Sequence, residues 1–342
     1  MPSVAGRFYL PLDWRWAVRA ALKRIRPTVL VIAETELWPN LLRAAHEFGA
    51  QVFLVNARMS ERSFRRYCLA RPFMRYVFEH VDGICAQTQT DLERFRQLGA
   101  RPEGLEWAGN LKFDAQPPQL AELTRLLGRV LTSIERSPVI VAGSTMPGEE
   151  PLVLQAWEKI RAAHSKALLI LAPRHPARFE EVAGILAGAG RSFVRRTALE
   201  AREDALAQQL AGVEILLLDT IGELAGIFEL ADVVFMGGSL VPTGGHNLLE
   251  PAYWSKPILF GPHMDNFHDI AQLFLQAGAA MQVQDADGLA EAVLRLWGDG
   301  VTRRQLGERA KQVLERESGA TPRVLNHIRK SLEAAVPFRA GP

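Results

Sequence analysis

The chain has 342 residues, long for one domain and comfortable for two. It is 48% hydrophobic and 23% charged, as an ordinary globular protein is, and no apolar run approaches the length that spans a bilayer. A net charge of +2 argues against a dedicated nucleic-acid binder, and the isolated Cys68 and Cys85 form neither a metal spacing nor a disulfide framework.

The first residues, MPSVAGRFYLPLD, have no apolar core behind a basic start, so no signal peptide is expected. From there, short β-branched runs alternate with helical stretches. TVLVIA (28–33) reads as a buried strand, NLLRAAHEFG (40–49) as a helix closed by Gly49, and QVFLVNA (51–57) as a second strand. The next stretch, RMSERSFRRYCLARPFMR (58–75), is helical and holds six arginines against one acid, Glu61. It suits phosphates on a substrate or a membrane surface, or it is simply a solvated helix. Strand DGICAQ (82–87), helix TDLERFRQLG (90–99) and short strand GLEWAG (104–109) complete the front part. Both cysteines are expected to be buried thiols, in keeping with a reducing compartment.

NLKFDAQPPQL (110–120) breaks the rhythm, and its proline pair marks a linker. The pattern then restarts with strands SPVIVAGS (137–144), KALLILAP (166–173), VEILLLD (213–219), DVVFMGG (232–238), KPILFG (256–261) and GAAMQV (278–283). Helices are expected at 149–164, 176–189, 221–231, after Gly245, and through the charged tail from about 286. Such β-α-β-α order implies two α/β domains with parallel sheets facing a cleft. In such sheets ligands sit beyond the carboxyl ends of the strands.

The unusual residues fall at those ends. Glu34 and Glu36 follow the first strand, either to orient a substrate or to complement a helix dipole. Lys112, after strand 104–109, suits an anion or is an ordinary surface lysine. GSTMPGEE offers backbone N–H groups at a helix start, or a cap with dipole-matching acids in Glu149 and Glu150. In PRHPARF the prolines stiffen the loop around Arg174, which suits bidentate contact with a phosphate; His175 is a base or a structural residue. Gly222 lets a ligand approach the backbone before Glu223. In GGSLVPTGGHNLLEPA the glycines permit a loop that bends back on itself. Asn247 is a candidate cap, and Glu250 either accepts both hydroxyls of a ribose or complements the helix dipole. No glycine cluster is a Walker loop or a clean dinucleotide fingerprint, and no HExxH or CxxC argues for a metal.

Taken in order, ETELWPNLL, NARMSERSF, GNLKFD, GSTMPGEE, LAPRHPARF, DTIGEL, GGSLVPTGGHNLLEPA and GPHMDNF resemble the motifs of the Kdo (3-deoxy-D-manno-octulosonic acid) transferase family. The resemblance covers about residues 8–330. It implies a GT-B fold of two doubly wound Rossmann-like domains: residues 1–117 on the acceptor side, 118–320 for the donor, and a helix from 321 to 342 that crosses back. It implies an inverting transfer of Kdo from CMP-Kdo to a lipid A precursor, lipid IVA, at the cytoplasmic face of the inner membrane in lipopolysaccharide assembly. No metal or other cofactor and no nucleic acid is implied.

Carried over residue by residue, Pro173, Arg174, Ile221, Gly222, Glu223, Asn247, Leu248, Leu249 and Glu250 would contact CMP, and the glycines of GGSLVPTGGHNLLEPA would let the backbone come close to the donor. Glu34 and Lys112 would stabilise the transition state. The resemblance also implies a general-base glutamate in a short S-x-G-E motif, which does not occur before Glu34. The front domain is therefore expected to be incomplete. The alternative expectation is a truncated fragment that binds CMP-Kdo without efficient turnover.

Overall fold

The structure, a computed structural model, describes residues 5–114 and 120–335. The linker prolines Pro117 and Pro118 lie outside the described residues. The chain divides into two compact units, residues 1–115 with 317–342, and residues 116–316.

The first unit carries four parallel strands, β1 (Val29–Ala33), β2 (Gln51–Ala57), β3 (Gly83–Ala86) and β4 (Leu105–Trp107), in the order β1-β2-β3-β4. Helix Pro39–Glu47 makes the crossover from β1 to β2, and helix Gln89–Gln97 the one from β3 to β4. Pro39 stands in the first turn, where its missing N–H costs nothing, and Thr88 caps the second helix by accepting from Asp91 N–H at 3.0 Å. The arginine-rich stretch forms two helices, Glu61–Leu69 and Arg71–Phe78, with Ser60 capping the first. On them Met74, Val77 and Phe78 face the core, while Leu69 and Phe73 are 89% and 52% exposed among the arginines. Helix Ala320–Ala335 returns to this unit: Val324 is buried with Phe53, Val55, Cys85 and Ala108.

The second unit has seven parallel strands. They are β5 (Val139–Thr145), β6 (Leu168–Pro173), β7 (Phe193–Arg195), β8 (Ile215–Leu217), β9 (Val233–Met236), β10 (Ile258–Phe260) and β11 (Met281–Gln282), in the order β11-β10-β9-β5-β6-β8-β7. Every residue of β6 is buried, as expected of a central strand covered on both faces. Trp157, on helix Glu150–Ala163, is 1% exposed and shares the core cluster with Ile140, Phe235 and Val293. From β5 the chain proceeds through β6 in one direction across the sheet, and from β9 through β10 in the other. The reversal makes the carboxyl ends of β5 and β9 the switch point where a ligand crevice opens.

Two sequence expectations change, and two elements were not expected at all: edge strand β7 and helix Glu203–Ala211. The helix expected over 221–231 is short: Leu224–Ile227 runs directly into a 3-10 turn at Phe228–Leu230. Cys85 is buried, but Cys68 is exposed on an arginine-rich helix.

Candidate functional site

In the second unit the strand ends are tied together by two adjacent acids. Glu149 and Glu150 begin the helix that follows β5, and both are fully buried. The Glu149 carboxylate accepts the N–H groups of Gly238 (2.6 Å), Ser239 (3.0 Å), Leu240 (2.9 Å) and Met146 (3.2 Å). Three consecutive amides of the loop after β9 thus form a nest, and the protein's own acid fills it. Burial pushes the Glu149 carboxyl above its ordinary range, and the four N–H groups pull it back. Glu150 accepts both Nη atoms of Arg178, at 2.7 and 2.9 Å, and the Thr145 hydroxyl at 2.8 Å. Neither acid is a simple helix-dipole partner or cap, as the sequence suggested.

The glycines of the same loop serve this packing. A methyl group on Gly237 would lie 2.7 Å from the Ser144 carbonyl oxygen and 2.8 Å from Glu149 Oε2. At Gly245 it would lie 2.3 Å from Met264 Sδ. The close approach expected toward a donor is, at these positions, an approach to the protein itself. Gly222 differs: its φ is +86° and no atom lies within 4 Å of where a side chain would start. Beside it Ile221 is 79% exposed, so this turn presents open backbone.

The residues proposed to hold a nucleotide gather at these strand ends. Pro173 ends β6, and the Arg174 N–H donates to the Thr145 carbonyl at 3.0 Å. The Arg174 charge acts on both His246 and Glu250. Burial, with Arg174 and His175 nearby, pushes His246 down to about 4, so its imidazole is neutral and Arg174 supplies the positive charge. The Glu250 carboxyl is pushed up by burial, against the pull of the Asn247 amide and Arg174. Asn247 reaches Glu250 at 3.4 Å and accepts the Leu249 N–H at 3.1 Å, a turn one residue before the helix's N-cap position, which falls on Leu248 rather than on Asn247 as expected. Leu248 and Leu249 are buried, backbone included, and the Leu249 N–H is already taken by Asn247. Glu223 is held by Arg196 at 2.5 Å and by the Thr220 hydroxyl. Trp254 Nε1 donates to the Ala225 carbonyl at 2.7 Å, joining the helix that carries Glu250 to the turn after Glu223. Among the described residues no group of three or more His, Cys, Asp or Glu could hold a metal ion.

In the first unit Glu34 follows β1 with φ +60°, a left-handed conformation that a glutamate adopts at a cost. Its N–H donates to the Val55 carbonyl at 2.8 Å, and its carboxylate lies 3.9 Å from Arg58 Nε. Lys112 sits in the single turn Leu111–Asp114 after β4. Asn56, buried and also left-handed at φ +53°, accepts the Leu111 N–H at 2.9 Å and so fixes that turn. Asp114 accepts Gly319 N–H at 2.5 Å and the Thr321 N–H, tying the turn to the returning helix. Sequence reasoning passed over Asn56, Arg178, Arg196 and His246. Asn56, Arg178 and His246 stood inside motifs that had been singled out, NARMSERSF, PRHPARF and GGSLVPTGGHNLLEPA, and only Arg196 lay outside them.

A family model described as 3-deoxy-D-manno-octulosonic-acid transferase (kdotransferase) matches residues 1–115. The chain is 32% identical over 331 residues to the 3-deoxy-D-manno-octulosonic acid transferase of Haemophilus influenzae, an alignment spanning 96% of this chain and 75% of that one. The chain belongs to the Kdo transferase family. A second member, from Bordetella pertussis, is 35% identical over 94% of this chain and 73% of its own. As a member of the Kdo transferase family, the protein is a glycosyltransferase with the mixed α/β GT-B architecture of parallel sheets. The crystal structure of the C-terminal CMP-Kdo binding domain of WaaA from Acinetobacter baumannii is 30% identical, with a TM-score of 0.51. That match covers 56% of this chain and 97% of that domain. A UDP-GlcNAc 2-epimerase from Neisseria meningitidis, 11% identical with a TM-score of 0.56 over 92% of this chain and 80% of its own, shares the fold alone.

Proposed function

We propose that the protein transfers Kdo from CMP-Kdo to a phosphorylated lipid A precursor, lipid IVA, with inversion at the anomeric carbon. The observation that carries this reading is that Arg174, Glu250 and a neutral His246 converge at the switch point of the second unit, near enough for the Arg174 charge to act on both of the others. An arginine on a proline-stiffened strand end suits a phosphate, and a shielded carboxylate suits the paired hydroxyls of a ribose. As the bond from sugar to phosphate breaks, negative charge grows on the departing CMP. A guanidinium already in place stabilises that charge most where it develops. Gly222, with Ile221 and Glu223, gives the nucleotide an open stretch of backbone. Pro173 and Asn247 complete the donor side within 118–320, while the buried Leu248 and Leu249 set the start of the helix that carries Glu250.

Glu34 and Lys112, in 1–117, are assigned to the sugar during transfer. The left-handed Glu34 and the doubly anchored turn of Lys112 support a positioned rather than a casual role. The exposed Leu69 and Phe73 among arginines suit an acceptor that is both lipid and phosphate, at the cytoplasmic face of the inner membrane. Among the described residues no helix is long and apolar enough to cross a membrane.

The test is CMP release from CMP-Kdo in the presence of lipid IVA. Arg174→Ala should release CMP far more slowly than wild type, and equal release by the two would overturn the donor site. The anomeric configuration of the product, read by NMR, decides between inversion and retention. CMP binding without release would make the chain a donor-binding protein.

A further inference from the structure

We propose that Glu149 and Glu150 are the positioning residues of the donor site, each holding one of the two loops that carry its recognition groups. This rests on the CMP reading above. The two acids are neighbours in sequence, fully buried, and turn opposite ways from the start of one helix.

Glu149 controls the loop after β9. It holds the Gly238 N–H, and the Gly238 carbonyl in turn accepts the Gly245 N–H at 2.8 Å and the Thr243 hydroxyl at 2.9 Å. One residue therefore links the buried carboxylate to the turn that leads into Asn247 and Glu250. The neighbouring amides of Ser239 and Leu240 are fixed by the same group, so the loop cannot rotate about a single bond. Ser239 braces it from the other side. Its hydroxyl donates to the Met236 carbonyl at 2.5 Å and accepts the Gly261 N–H at 2.8 Å.

Glu150 controls the loop after β6. Arg178 closes that loop, donating its own N–H to the His175 carbonyl at 2.9 Å, and its guanidinium is locked in a fork on Glu150. Thr145 contributes twice. Its carbonyl accepts the Arg174 N–H at 3.0 Å, and its hydroxyl donates to Glu150 at 2.8 Å. A bidentate charged pair fixes direction as well as distance, so Arg174 is aimed by a pair that does not touch a ligand.

Both loops are therefore indexed to one helix start, and each acid has its own signature. Glu149→Gln puts an amide N–H₂ and one acceptor where four N–H groups converge, and disturbs the Glu250 side. Its affinity for CMP and for cytidine should fall together, by about tenfold or more. Glu150→Gln breaks the charged fork and disturbs the Arg174 side. Its CMP affinity should fall while cytidine affinity holds, collapsing the ratio between the two.

The experiment measures CMP and cytidine binding by calorimetry on the full chain for both variants, with Arg174→Ala and Glu250→Gln as references and circular dichroism as the control for folding. If a glutamine variant does not fold, Glu149→Asp and Thr145→Val replace it with the same expected signatures. Wild-type affinities in folded Glu149 and Glu150 variants, or equal losses of CMP and cytidine in both, would overturn the positioning roles. If Arg174→Ala and Glu250→Gln themselves bind like wild type, the CMP reading fails instead.

Discussion

Glu250 combines burial with a working carboxylate. Burial raises its proton affinity, and the hydroxyls of a ribose need the ionised form as their acceptor. Ligand binding should therefore be complete above the raised value and be lost as pH falls through it, beginning above the ordinary glutamate range. Glu149 is pushed in the same direction, so the variant identifies the group. Glu250→Gln should weaken CMP binding by about 1–3 kcal/mol and remove its share of the acid limb. A calorimetric pH series on both proteins checks this, and parallel pH profiles would contradict it. At the same scale the two thiols part company. Cys68 is exposed, whereas burial, reinforced by Glu106, pushes Cys85 up to about 12. A thiolate reagent at neutral pH should label one thiol per native chain, at Cys68, by peptide mapping.

Among the elements, the turn from β5 into its helix buries two carboxylates side by side, Glu149 and Glu150. Arg178→Met would leave Glu150 buried without its fork, a change that costs about 3–5 kcal/mol in comparable pairs. The loss should be read from urea unfolding, and a near-neutral result would mean that Thr145 and water suffice. This turn also marks where sequence reasoning stopped. The alternation of apolar runs and helices was plain for most strands, because buried parallel strands leave continuous runs such as LLILAP. It failed at Phe193–Arg195, a three-residue edge strand that is only partly buried and begins among polar residues. The motif glycines and acids were visible, but their partners were not. Which amides surround Glu149 depends on a contact 89 to 91 residues away, and no local pattern encodes it. The clearest example is the GGSL stretch, which looked like a cradle for a ligand and is a cradle for an internal carboxylate.

On the scale of the whole molecule, the first unit is split in sequence, with its last helix arriving after residue 316. Helix Ala320–Ala335 covers Phe53 and Cys85 through Val324, and its start is pinned to Asp114. A fragment of residues 1–115 should therefore expose Cys85, which a thiol reagent would then label, and adding a peptide of residues 317–336 should protect it again. A fragment of residues 120–316 contains the whole seven-stranded sheet and should unfold cooperatively by itself. Under the donor reading it should also bind CMP about as well as the full chain. Protection of Cys85 in the 1–115 fragment alone would show that the helix is dispensable.

The late return of that helix has a consequence for synthesis on the ribosome. The residues of the first unit are made first, yet its smaller apolar cluster, around Phe53 and Cys85, cannot close until the segment around Val324 has left the exit tunnel. The second unit, continuous in sequence, can fold in the meantime. During each round of translation the front sheet waits with an apolar flank uncovered. It is in that interval, rather than in the finished protein, that a chaperone would find its strongest hold.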